Sequence, residues 1–226
     1  MTTQRQPDVI PAPNHLDQDF SATTANPKWV SDFTYIETAE GWSYLAIILD
    51  LFSRKVIGWA MSEHMNTALV ETALHMALQA RQPKSTLLHH SDQGSQYTSV
   101  AYQSQLESRK IQLSRVGNCY DNAVGQSFFG TLQAECVTRQ FATHALARTT
   151  VFEYLEVWFN RQRLHSSLGY LSPMEFEQLH GHQLCLLSGA SSWCPFSSKA
   201  RANADPIFPK PITVTSLILQ PPHTYG

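Results

Sequence analysis

The stretch Trp29–Met61, WVSDFTYIETAEGWSYLAIILDLFSRKVIGWAM, reads as three consecutive strands and decides the fold class. Trp29–Glu37 alternates side-chain types and is rich in aromatic and β-branched residues, the pattern of a half-buried strand. After the turn at Gly41-Trp42, WSYLAIILDLF is a nearly continuous apolar run, as a central strand buried on both faces would be. KVIGWAMS follows the Ser53-Arg54 turn as a third strand. From Asn66 the period changes: Val70, Ala73, Leu74, Ala77 and Leu78 recur at helical spacing, and Pro83 ends that helix.

Beyond Pro83 the pattern continues as a short buried strand in STLLHHSD, a helix in SVAYQSQLESRK and a strand in IQLSRV. A helix then starts near Asp121, which is placed to cap it, and a long helix runs from about Thr143 to His165. The order βββ-α-β-α-β-α-α predicts an α/β fold, a mixed sheet flanked by helices that is compatible with a ribonuclease H-like arrangement.

Proline use marks the limits of this unit. Nine of the 12 prolines lie in the first 13 or last 46 of the 226 residues, so the middle reads as the folded part. Residues 1–27 read as a linker-like N-terminal segment and 28–180 as the core. Residues 181–226 read as a mostly irregular C-terminal tail, with only four charged side chains: Lys199, Arg201, Asp205 and Lys210. The N-terminus lacks the apolar region of a signal peptide, and the best apolar run, YLAIIL, stops at Asp50, far short of a membrane span. Four scattered cysteines do not make a disulfide framework. These features predict a soluble, cytoplasmic protein with no membrane partner. The net charge of −2 lacks the basic footprint of most nucleic-acid proteins.

Two aspartates stand out by position. Asp32 lies within the first strand, among Trp29, Phe33 and Tyr35, and Asp92 lies just past the fourth. If those strands are neighbours, the carboxylates converge at one sheet edge, where mutual repulsion calls for a cation. Magnesium binds through one or two carboxylates plus phosphate oxygens, and two such ions can assist phosphodiester displacement. From spacing alone the plainer reading stands beside it: Asp32 faces solvent on an edge strand and Asp92 caps a helix.

The blocks around these residues carry more. WVSDFTYIET with the two strands after it, HSDQGSQYTS, GNCYDNA with SFFGTLQAE, and FNRQRLHSSLGYLSPMEFE occur in the order found in integrase-core, DDE-type bacterial insertion-sequence transposases. The resemblance runs from about Asn14 to Glu177. It identifies the chain as similar to the second-frame product of a two-frame insertion element, truncated or degenerate, and related to retroviral integrases. It implies a ribonuclease H-like fold, a DDE site holding Mg²⁺ or Mn²⁺, and DNA cleavage and strand transfer during transposition. Implied partners are DNA and further transposase subunits, in a homo-oligomer or a mixed assembly with intact transposase, at the nucleoid.

By that resemblance Asp32 and Asp92 match the first two catalytic acids and metal ligands. The third should be a glutamate, but the block reads DNAVGQSFF and Gln126 stands there, with 33 residues between it and Asp92, a shorter interval than the family's. A glutamine amide offers one neutral carbonyl acceptor where glutamate offers two anionic ones. Impaired catalysis is therefore expected, and the alternative is an inactive remnant that binds DNA or transposase subunits. Arg54, Lys55, Arg115, Arg161 and Arg163 are the candidates for DNA phosphate contacts. The near-neutral charge then reads as a missing DNA-binding region, because a core that works through carboxylates need not be basic, and DNA binding by the chain alone should be weak.

Overall fold

The computed structural model describes residues 13–83, 86–92, 94–115 and 122–187. Three strands open the fold, β1 (Lys28–Thr38), β2 (Gly41–Asp50) and β3 (Val56–Ser62), followed by α1 (Thr67–Arg81), β4 (Leu88–Ser91), α2 (Val100–Ser108) and β5 (Gln112–Arg115). Three helices complete it: α3 (Ala123–Glu135), α4 (His144–Phe152) and α5 (Pro173–Leu187). The strands form one sheet in the order β3-β2-β1-β4-β5. β1 is antiparallel to β2 and β2 to β3, whereas β4 is parallel to both β1 and β5, so the sheet is mixed, as predicted.

The apolar run of β2 is explained by its central place. Ala46 and Ile48 pack on one face with α1 and α2, while Leu45, Ile47 and Leu49 pack on the other with α3 and α4. Each leucine or isoleucine so buried contributes roughly 1.5–3 kcal/mol. Gly58 in β3 lets α1 approach: a side-chain carbon there would meet the Ala73 carbonyl oxygen at 2.3 Å. α1 is capped at its start by Asn66, whose side chain accepts from the Leu69 N–H, and stops at Gln82 in the left-handed region, just before Pro83.

Several boundaries differ from the sequence expectation. The long helix expected from Thr143 to His165 is α4 followed by a π-helical stretch, Glu153–Phe159, and the chain leaves it at Asn160. The widened turns direct Tyr154, Leu155 and Phe159 into the core. They also bring Asn160 to β3, where its amide accepts from the Val56 N–H and donates to the Val56 carbonyl, both at 2.9 Å. α5 continues to Leu187, through the first seven residues of the expected tail, and residues 188–226 lie outside the described residues. Residues 14–27 carry no helix or strand but do not behave as a free linker. Leu16 is buried with Val30 and Leu51, and the backbone N–H groups of His15 and Leu16 donate to Ser114 Oγ. No helix among the described residues is long and apolar enough to cross a membrane.

Candidate active site

Asp32 and Asp92 come together through strand pairing. The parallel register of β1 on β4 ends at Ser31 opposite Ser91, so each aspartate is the next residue along two neighbouring strands. Adjacent strands lie about 5 Å apart, which sets the carboxylates side by side at the C-terminal edge of the pair. Beneath them Ser31 Oγ donates to the hydroxyl of Tyr97, a fully buried ring. The edge-strand reading of Asp32 does not hold: β1 is the middle strand of the five.

Both carboxylates are short of solvation. Burial pushes the Asp32 pKa up to about 7, and the charge of Asp92 adds to the rise; the Phe33 N–H and the Asn122 side chain oppose it. Burial also raises Asp92, against the pull of the Gly94 N–H, which donates to Asp92 Oδ1 at 2.9 Å. Two desolvated carboxylates in one another's field are stabilised most simply by a bound cation.

α3 closes the site. Its N-cap is Asn122, not the expected Asp121, which lies outside the described residues, as does Cys119. Asn122 does not cap the helix with its side chain; the amide bonds Asp32 instead. Its Oδ1 is buried with no hydrogen-bond partner. Gly125 brings the helix backbone onto the carboxylate, since a side-chain carbon there would fall 2.8 Å from Asp32 Oδ2 and 2.9 Å from Asn122 Oδ1. An orphaned carbonyl oxygen beside the Asp32 carboxylate, with Asp92 on the neighbouring strand, offers oxygen donors only, the kind hard divalent cations take. Sequence reasoning passed over Asn122 and Gly125, although both lie inside the DNAVGQSFF block.

Gln126 follows Gly125 in the first turn of α3 and is exposed. Glu135, the nearest acid further along α3, lies about 13 Å down the axis. It is also engaged: its carboxylate pairs with Arg163 at 2.8 Å and accepts from the Tyr154 hydroxyl. Among the described residues no group of three or more His, Cys, Asp or Glu side chains is placed to hold a metal ion.

The basic candidates separate into different environments. Arg161 is exposed. Lys55 pairs with Glu177, which is held also by Arg81 and the Ser53 hydroxyl. Arg163 is clamped by Glu135. Arg115 ends β5 with its side chain buried and Nε unpartnered. Arg54 is half-buried in the β2–β3 turn. His89 and His90 are both buried and point to opposite faces: His89 to the Tyr102 hydroxyl, His90 to Ser114 Oγ.

Residues 22–119 match a family described as integrase core domain, and residues 126–180 match a second family of the same description. The chain is 47% identical over 167 residues to transposase InsF for insertion sequence IS3A of Escherichia coli (strain K12), an alignment covering 73% of this chain and 58% of that protein. It thus spans somewhat over half the length of that relative. It is 42% identical over 186 residues to an uncharacterized 31 kDa protein of insertion element IS600 from Shigella sonnei, covering 81% of this chain and 68% of that one. Two solved structures share the fold at 14% identity. One is the simian T-cell lymphotropic virus intasome in complex with PP2A regulatory subunit B56 gamma, with a TM-score of 0.58 over 76% of this chain and 60% of the other. The second is the HTLV-2 integrase catalytic core domain in complex with magnesium, with a TM-score of 0.50 over 70% and 99%. With the ribonuclease H-like sheet, the paired aspartates and the order of the sequence blocks already in place, these matches establish that the chain belongs to the integrase-core family of insertion-sequence transposases.

Proposed function

We propose that this chain is the catalytic core of a DDE-type transposase whose DNA cleavage and strand transfer are impaired by Gln126. The observation that carries the reading is the placement of Asp32 and Asp92 one residue beyond the Ser31–Ser91 pair of two parallel strands, both desolvated, with Asn122 and Gly125 closing over Asp32. Asp32 and Asp92 would hold Mg²⁺ or Mn²⁺, with Asn122 Oδ1 as a neutral oxygen beside them. The relative solved with magnesium supports that choice of metal. A divalent cation bound there supplies Lewis acidity for phosphodiester displacement.

The chain's own residues prepare the site. Asp32 and Asp92 set negative charge on one edge, the Gly94 N–H orients Asp92, and the Phe33 N–H orients Asp32. Gln126 sits where the family's third acid belongs, and its neutral amide leaves the site one negative charge short. A second reading, favoured by the same residue, is an inactive remnant that binds DNA or joins assemblies with intact transposase. The intasome relative supports DNA and further subunits as partners.

The test is a strand-transfer assay with purified chain, Mn²⁺ or Mg²⁺, a DNA end bearing a 3′-hydroxyl and a target duplex. Little or no joined product from the wild type, with a gain on Gln126→Glu that is lost again on Asp92→Ala, supports the impaired-enzyme reading. No gain on Gln126→Glu supports the remnant. Robust joining by the wild type, abolished by Asp92→Ala, would overturn impairment.

A further inference from the structure

A chain of hydrogen bonds joins the two aspartates through the opposite face of the sheet. Ser31, the residue before Asp32, donates from Oγ to the Tyr97 hydroxyl at 3.1 Å. The Tyr97 backbone N–H donates to the Gly94 carbonyl at 3.0 Å, and the Gly94 N–H donates to Asp92 Oδ1 at 2.9 Å. We infer that Tyr97 is a positioning residue, a strut between β1 and the turn after Asp92 that fixes the Asp92 carboxylate relative to Asp32. The inference rests on the reading of the two aspartates as a metal-binding pair.

Tyr97 is placed to act through the backbone and not by touching a cation. Side chains alternate along β1, so Ser31 faces the layer of α1 and α2 with Trp29 and Phe33, while Asp32 faces α3 at Gly125. The Tyr97 ring is fully buried in the first of these layers, in edge-on contact with Tyr102 at 5.3 Å and tilted against Phe33 at 6.2 Å. Filling an apolar layer requires only a ring, and a buried hydroxyl is costly unless it finds a partner. This one finds Ser31, itself 1% exposed and 66 positions away in sequence.

The far end of the strut is equally constrained. Gly94 is buried, and a side-chain carbon there would stand 3.0 Å from Asp92 Oδ1 and 3.1 Å from Gln96 Oε1. Its N–H is held by the carboxylate, and its carbonyl accepts from the N–H groups of both Tyr97 and Thr98. The strut opposes a definite force. Asp32 and Asp92 are both desolvated and the charge of Asp92 raises Asp32, so without a cation the carboxylates repel one another. Holding them in place beforehand cuts the ordering cost of binding a cation, the service that residues behind the ligands perform at metal sites. Burial, and then the fields of Tyr102, Asp32 and Asp92, keep the Tyr97 phenol well above its ordinary range, so it remains neutral and adds no third negative charge.

The experiment combines Mn²⁺ titration calorimetry on the full chain with amide hydrogen exchange at Gly94, followed by NMR on metal-free protein. Tyr97→Phe keeps the ring and removes the hydroxyl, and Ser31→Ala removes its partner. Tyr102→Phe is the contrast: its hydroxyl meets His89 Nε2 at 2.7 Å in the same layer, and Tyr102 makes no bond to Gly94. Melting in chelator establishes that each variant is folded, and Ser31→Ala carries the test alone if Tyr97→Phe is not. The expected result is a loss of Mn²⁺ affinity of roughly fivefold in Tyr97→Phe and in Ser31→Ala, the scale of one hydrogen bond. The double variant should lose no more, because both substitutions remove the same bond. Gly94 exchange should accelerate in metal-free Tyr97→Phe, whereas Tyr102→Phe should lower the melting temperature and leave both readouts unchanged. Equal losses of Mn²⁺ affinity in Tyr97→Phe and Tyr102→Phe would mean that the whole layer has loosened, and would overturn the assignment to Tyr97. Where the wild type binds Mn²⁺, an affinity unchanged in both Tyr97→Phe and Ser31→Ala overturns the strut and leaves the metal site intact. A wild type that binds no Mn²⁺ overturns the metal-site reading; Gly94 exchange then decides the strut, supporting it by acceleration in Tyr97→Phe and overturning it by none.

Discussion

The α3 backbone at Gly125 lies against Asp32 closer than any side chain would allow: an added carbon would stand 3.1 Å from Asp32 Cβ and nearer still to its Oδ2. The contact joins two parts of the candidate site that are far apart in sequence, a carboxylate in the middle strand and the first turn of α3.

Gly125→Ala should therefore move Asp32 or lift the start of α3. Alanine is the better helix former by about 1 kcal/mol, so a neutral outcome would be expected if the position were an ordinary surface turn. Overpacking against a carboxylate and the Asn122 carbonyl should outweigh that gain, with a net loss of about 1–2 kcal/mol. Chemical denaturation measures the loss. Titration calorimetry with Mn²⁺ should show weakened metal binding in the same variant. Unchanged metal affinity would separate Gly125 from the site.

Asn160→Ala tests the π-helical exit. In the wild type one amide satisfies both backbone groups of Val56, in a position where Asn160 and Val56 are each 2% exposed. Truncation leaves a buried donor and a buried acceptor without partners, so a loss of roughly 2–4 kcal/mol is expected. Hydrogen exchange at the Val56 N–H should accelerate more than at other β3 amides. A loss below about 0.5 kcal/mol would show that water replaces the amide freely.

Asp50 carries the pH dependence with the clearest sign. Its carboxylate accepts from the N–H groups of Phe52 and Asn26, yet burial dominates and raises its pKa from 3.8 to about 6. The folded state therefore retains a proton between those values that the unfolded chain has released. Its contribution is complete below about pH 3.8 and is lost as pH rises through about 6. The full effect is at most about 3 kcal/mol. His89, lowered to about 3 by burial, works in the opposite direction over an overlapping range, so the total melting curve is not diagnostic. The difference between wild type and Asp50→Asn isolates the group: the wild type should lose stability relative to the variant between about pH 4 and pH 6 and change little above that. Carboxyl ¹³C NMR should place the Asp50 midpoint near 6 and that of Asp19, lowered chiefly by its bond with Lys28, near 2.

The parts of this molecule legible from its sequence are those in which local pattern and tertiary role coincide. β2 reads as central because both of its faces are apolar, and α1 reads as a helix because one stripe of it is. Asp32 was conspicuous because a charge inside an aromatic strand has to be compensated. Asp92 gained meaning only if β4 lay beside β1, and the parallel register supplied that. What could not be read depends on contacts between distant segments. Nothing local in Asn122 says that its amide turns toward Asp32 rather than capping α3. Leu16 sits in a proline-flanked segment of linker-like composition, and only the surface formed by Val30 and Leu51 makes it a core residue. The stretch from Thr143 has continuous helical periodicity, and nothing local in it announces the π geometry that brings Asn160 to Val56.

Gln126→Glu is the substitution that bears most directly on the site. It places a carboxylate in the first turn of α3, one residue from the Gly125–Asp32 contact, where the helix dipole also favours negative charge. If Asp32 and Asp92 share a cation, a third carboxylate should raise Mn²⁺ affinity roughly tenfold or more, the scale of one added charge-assisted contact. Adding charge without a cation should instead cost stability, because Asp32 is already raised by burial and by Asp92. The two effects have opposite signs, so melting with and without Mn²⁺ distinguishes them: the variant should be less stable than wild type in chelator and gain more from metal. Glu135→Gln provides the contrast. That acid lies about 13 Å along the helix and is committed to Arg163 and Tyr154, so its loss should lower stability while leaving Mn²⁺ affinity unchanged. Equal effects of the two variants on metal binding would mean that general negative charge on α3, rather than the place of residue 126, governs the site.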